Sequence, residues 1–135
     1  VSDNADGRVL LRRGNLTGTG GAQAAPGNGS TITIFDSTDV DPPWAPDGLR
    51  FNRLQLNIYS SHDSAASGVV HASSFDRGAN FRTQSTNTYA AADGPTSFDY
   101  LVKGGHVKIT YQNSANALTA WEMELFGIYD RNPGS

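Results

Sequence analysis

The segment LRFNRLQLNIYSS, residues 49–61, alternates clearly: Leu54, Leu56 and Ile58 fall on one side, Arg53, Gln55 and Asn57 on the other. A period of two is the signature of a β-strand with one face on a core and one face in water. The same pattern, bounded by turn residues, recurs along the chain. STITIFD (30–36) carries Ile32 and Ile34 on one face, and GVVHASSF (68–75) and NFRTQSTNTY (80–89) flank a turn at Asp76-Arg77-Gly78. TSFDYLV (96–102) and GHVKITYQ (105–112) follow, the latter after Gly104-Gly105, and Asn113–Asn116 reads as a further turn. In LTAWEMELFGIYD (118–130), Trp121, Met123 and Leu125 alternate with Glu122 and Glu124. Leu118, Trp121 and Leu125 also fit a helical repeat, but the aromatic density and Gly127 favour a strand.

Composition points the same way. Charged residues make up 17 % of the 135, below the usual level of about 25 %, and Gly, Ser, Thr and Asn take their place. These residues are weak helix formers and good turn formers. Short strands without a convincing helix imply an all-β fold: an antiparallel β-sandwich of jelly-roll or related Greek-key type, with a barrel as the alternative. The expected core is Leu54, Leu56, Ile58, Phe81, Phe98, Val107, Ile109, Trp121, Met123 and Leu125.

The division expected is an extended N-terminal arm, residues 1–29, and a sandwich domain, residues 30–135. Gly18, Gly20, Gly21, Gly27 and Gly29 crowd the end of the arm. So much glycine makes the segment costly to order on its own: it reads as an arm ordered only where something else holds it, with a floppy tail as the equal alternative. Within it Arg8, Val9, Leu10, Leu11, Arg12 and Arg13 form a short apolar run with charged ends, a candidate docking strand. Residues 36–48, DSTDVDPPWAPDG, form a loop because its prolines remove donors and restrict their neighbours. Trp44 at its tip is a possible contact residue: it could stack on a sugar ring, plug into a neighbouring subunit, or fold back over the sandwich edge.

No cluster specifies a reaction. His62, His71 and His106 lack the spacing of a metal motif and are expected to be structural, at the surface or half-buried. Glu122 and Glu124 share a strand face, as paired carboxylates of a glycoside hydrolase might, but amphipathic patterning alone produces such a pair. Asp36, Asp39 and Asp41 could offer oxygen ligands to calcium without matching an EF-hand. No serine sits in a nucleophile elbow, and GTGG at 18–21 lacks the lysine and helix of a phosphate loop. The expectation is a protein that is not an enzyme and needs no cofactor or metal. A net charge of −3 argues against a nucleic-acid partner, and no run approaches the roughly 20 apolar residues of a membrane-spanning helix.

One order of elements is informative. Ser74, Asp76, Gly78, Asn80 and Phe81 form a Ser-x-Asp-(x)-Gly-x-Asn-aromatic hairpin, and Tyr111 and Asn113 close a later strand as Tyr-x-Asn. Residues 49–128 thereby resemble small β-sandwich domains of tailed-bacteriophage structural proteins, with Arg77 an extra residue in the turn. The resemblance implies a virion structural protein, most like a capsid decoration (cement) protein. Such a protein lies on the outer capsid surface, often as a homotrimer, with the major capsid protein as partner. A carbohydrate-binding module and a tail-fibre or baseplate domain are the alternatives.

Overall fold

The computed structural model describes residues 8–39 and 51–128, and in them eight strands build two four-stranded sheets. The strands are β1 (Arg8–Asn15), β2 (Thr31–Asp36), β3 (Arg53–Ser60), β4 (Ser64–Ser74), β5 (Arg82–Asn87), β6 (Thr96–Leu101), β7 (His106–Asn113) and β8 (Trp121–Ile128). The first sheet has the order β1-β8-β3-β6 and the second β2-β7-β4-β5. Every ladder is antiparallel. The pairs β4:β5, β3:β6, β2:β7 and β1:β8 are those of one long hairpin; rolling it up brings β3 against β8 and β4 against β7. That connectivity is the jelly roll, an eight-stranded double-sheet sandwich.

The core lies between the sheets. Leu54, Leu56 and Ile58 of β3 and Trp121, Met123 and Leu125 of β8 face Val107, Ile109 and Tyr111 of β7 and Val69 of β4, all buried. Trp121 meets Tyr111 edge-on, ring centroids 4.9 Å apart, a preferred aromatic geometry. Residues 118–128 thus hold a strand over Trp121–Ile128 and not a helix. Gly127 fits because a side chain there would collide with the ring of Phe51. Two expected core residues are only half-buried: Phe98 packs at the margin on edge strand β6, and Phe81 lies beneath the Lys108 ammonium, 4.8 Å from its ring centre. Ile34 faces inward with Ile32, and a bulge between Thr33 and Phe35 turns Phe35 inward beside it, burying two consecutive residues where simple alternation allows one.

The larger correction concerns the arm. Arg8–Asn15 is not a free segment but edge strand β1, in register with β8 from Arg8↔Ile128 to Asn15↔Glu122. Val9 and Leu11 pack against the core on one face of the strand, and a bulge between Leu10 and Arg12 brings Arg12 onto the same side. The glycine-rich stretch behind β1 is pinned by hydrogen bonds. Asn15 Oδ1 accepts from the amides of Gly18 (2.7 Å) and Thr19 (3.0 Å), and Arg13 donates to the Gly20 carbonyl at 2.7 Å. Gln23 pairs with the β1 backbone in both directions, and Asn113 donates to the Gly27 carbonyl at 3.2 Å. Gly18 and Gly20 hold the positive φ that this turn demands, so they are turn residues rather than a source of disorder.

His71, expected at the surface or half-buried, is instead in the core, stacked on Tyr100 of the opposite sheet at 4.7 Å. Burial, helped by the charge of Lys103, lowers its pKa from 6.5 to about 4. The unfolded chain therefore takes up a proton near pH 6.5 that the folded chain refuses until about pH 4. Stability is full above pH 6.5 and falls as pH drops through this window. Denaturant titrations should give a stability about 2–3 kcal/mol lower at pH 4.5 than at pH 7.5. His71→Leu should flatten that slope; an unchanged slope in the variant would assign the acid sensitivity to other groups. Asp76 does not interfere, since its carboxylate, lowered from 3.8 to about 2 by hydrogen bonds from Asn80 and Ser74, loses its contribution only at lower pH.

Candidate functional site

The outer face of the first sheet collects exposed side chains from all four strands. On β8, Glu122, Glu124, Phe126 and Ile128 point outward, opposite to the buried Trp121, Met123, Leu125 and Gly127. Register then fixes their neighbours. Arg8, Ile128, Arg53 and Leu101 form one cross-strand row; Leu10, Phe126, Gln55 and Asp99 the next; Arg13, Glu124, Asn57 and Ser97 the third; Glu122 and Tyr59 the fourth.

The face has two halves. In the first two rows Leu10 is 47 % and Leu101 61 % exposed, with Phe126 and Ile128 half-buried between them. The Arg8 guanidinium lies 4.3 Å from the centre of the Phe126 ring, a cation–π contact that covers part of this apolar surface. The last two rows line a shallow concavity of about 760 Å³ bounded by Arg13, Asn57, Tyr59, Pro95, Ser97, Glu122 and Glu124. Here the Ser97 hydroxyl is hydrogen-bonded to Asn57 Oδ1.

The structure sorts the residues singled out in the sequence. Of the docking strand, Arg8, Leu10 and Arg13 belong to this face, while Val9 and Leu11 turn to the core. Arg12 donates across the sandwich edge to the Ile34 carbonyl (3.2 Å) and to Gln23 Oε1 (3.0 Å). Glu122 and Glu124 project in parallel from one strand, so they would meet a sugar from the same side rather than flank a bond as a hydrolase pair does. Trp44 and Asp41 lie outside the described residues. Asp36 caps its own turn, accepting from the Thr38 amide (2.9 Å) and hydroxyl (2.6 Å), and faces Lys108 at 3.8 Å. Among the described residues no three His, Asp or Glu side chains could share a metal ion. The histidines are far apart in role: His62 contacts Ser61 (3.1 Å), His71 is in the core, and His106 Nδ1 is hydrogen-bonded to the Ser37 hydroxyl (2.8 Å), which accepts from the Val107 amide (2.9 Å).

The Asp76-Arg77-Gly78 turn is a self-contained hydrogen-bonded loop joining β4 to β5. The Asp76 carboxylate accepts from Ser74 Oγ (2.7 Å), the Asn80 amide (2.9 Å) and Asn80 Nδ2 (2.8 Å), and Ser74 Oγ accepts from the Gly78 amide (2.8 Å). Arg77 and Gly78 both have positive φ, 65° and 89°. The side chains that mark this hairpin in the sequence are thus spent on making the bend. Asn57, Tyr59 and Ser97 were not legible as site residues, because only the strand order places them beside Arg13 and the glutamates.

No protein-family model matches the chain, and no curated protein matches it by sequence. Among solved structures it is similar to the PBSX exported protein XepA, with a TM-score of 0.62 at 9 % sequence identity. The likeness covers 93 % of this chain and 38 % of that one, so the chain spans well under half the length of its structural neighbour. At this identity the likeness is one of fold: the β-sandwich derived above is shared with part of that exported protein.

Proposed function

We propose that this chain is a non-enzymatic structural domain of a tailed-phage particle, a decoration protein that docks on the major capsid protein at the outer capsid surface. The observation that carries the reading is the apolar half of the first sheet's outer face. Leu10, Phe126 and Ile128 stand together on the β1–β8 pair, with Arg8 and Arg53 beside them. An apolar centre with arginines at its margin is the composition that protein interfaces favour. The sandwich shared with part of the PBSX exported protein XepA accords with this setting, and the hairpin resemblance supports the virion role. The same low-charge surface suits self-association, which we propose to be trimeric, because few charges would need desolvating.

The test is co-sedimentation of the full chain with purified heads and purified tails of its phage, followed by electron microscopy of the decorated particles. Binding to heads, lost in Leu10→Glu while the melting temperature holds, is the expected result. Binding to tails alone would move the domain to a fibre or baseplate, and binding to neither would overturn the virion reading. Light scattering at micromolar concentration showing only a 14.3 kDa species would overturn self-association.

A further inference from the structure

We infer that the polar half of the same face is a carbohydrate-binding site, selective for neutral or amino-bearing glycans. The inference is independent of the capsid reading, which uses the apolar half. Arg13, Glu124, Asn57 and Ser97 come one from each strand of the sheet, in one row. Adjacent strands lie about 4.8 Å apart, so the row spans roughly 14 Å, long enough for a short oligosaccharide. The concavity above it, about 760 Å³ and open on one side, lies within the range of roughly 300–1,000 Å³ usual for ligand sites.

The chemistry of the lining decides the ligand class. Sugar hydroxyls need donors and acceptors interleaved at short range. Glu122 and Glu124 supply acceptors, Arg13 supplies donors beyond the N–H it gives to Gly20, and Ser97 and Asn57 supply both kinds. Tyr59, 37 % exposed, offers an aromatic face for the apolar side of a pyranose ring together with a polar tip. All six side chains stand on strands, whose ladders hold them in fixed relation without further ordering cost. Two carboxylates against one guanidinium leave the concavity acidic, so it disfavours uronates and sulfated sugars and accepts hydroxyl, acetamido or ammonium groups.

The experiment is a calorimetric and NMR titration of the full chain with chitotetraose, cellotetraose and tetragalacturonate. Expected is binding of chitotetraose or cellotetraose, none of the uronate, and amide shifts gathered on residues 57–59, 97 and 122–124. Tyr59→Ala should weaken binding at least about tenfold at unchanged melting temperature, and Glu122→Gln should weaken it without admitting the uronate as a tighter ligand. Failure of both neutral and amino glycans to bind, preferential binding of the uronate, or full affinity in Tyr59→Ala would each overturn the assignment. Capsid co-sedimentation reads neither substitution, so the two proposals fail separately.

Discussion

Removing residues 1–15 is expected to abolish cooperative folding of the domain. The truncation takes away β1, and with it Val9 and Leu11, which cover one end of the core. Full burial of an aliphatic side chain is worth about 1.5–3 kcal/mol, so two half-buried ones account for roughly 2–3 kcal/mol. The greater damage falls on β8. Its hydrogen-bonding groups along Glu122–Ile128 lose their partner strand, and an internal strand carrying Met123 and Leu125 becomes an open edge prone to pairing with other chains. The segment behind β1 also loses its anchors on Arg13 and Asn15. Against a total stability of about 5–15 kcal/mol, these losses leave little. Circular dichroism of the truncated chain should show no cooperative melt, or aggregation on purification. A melt within about 5 °C of the full chain would restore residues 8–15 to the role of a detachable arm.

Glycine density in that segment is an entropic cost, as it is for any isolated chain. The offset comes from Asn15, Gln23 and Asn113, whose bonds to the segment reach 3 to 87 residues away, and no local pattern announces them. Alternation made β3 and β8 legible because their inward and outward residues differ sharply in polarity. It could not tell that β1 pairs with β8 across nearly the whole chain, and so could not choose the jelly roll over other Greek keys. Tyr89, Tyr100, Tyr111 and His71 are buried, though their polar tips suggest a surface in the sequence. In the fold Tyr89 accepts from the Ser60 amide at 3.0 Å and donates to the Gly94 carbonyl at 2.9 Å, which makes its burial tolerable. The candidate site was legible residue by residue, as Arg13 or Glu122 and Glu124, but its unity depends on the sheet order β1-β8-β3-β6.

The second large effect is at Trp121, the largest fully buried side chain among the described residues. Trp121→Ala should cost about 3–5 kcal/mol, or about 10–20 °C in melting temperature for a domain of this size, because the void it leaves lies between two rigid sheets. One neighbour cannot close it: Gly14 of β1, whose backbone approaches the indole so closely that a side chain there would meet Nε1 at 2.9 Å. Nε1 itself is buried and has no hydrogen-bond partner within the described residues. That orphaned donor carries a penalty the native fold already bears. Trp121→Phe removes the donor, keeps a ring against Tyr111 and leaves a smaller void, so its cost should be about 1–2 kcal/mol. The ratio between the two substitutions is the sharper test. Equal losses for Phe and Ala would mean that the indole N–H is satisfied in solution, by a water or by a residue outside the described ones. A negligible loss for both would mean that β8 does not deliver Trp121 to the core, and the register that places Glu122 beside Tyr59 would fall with it.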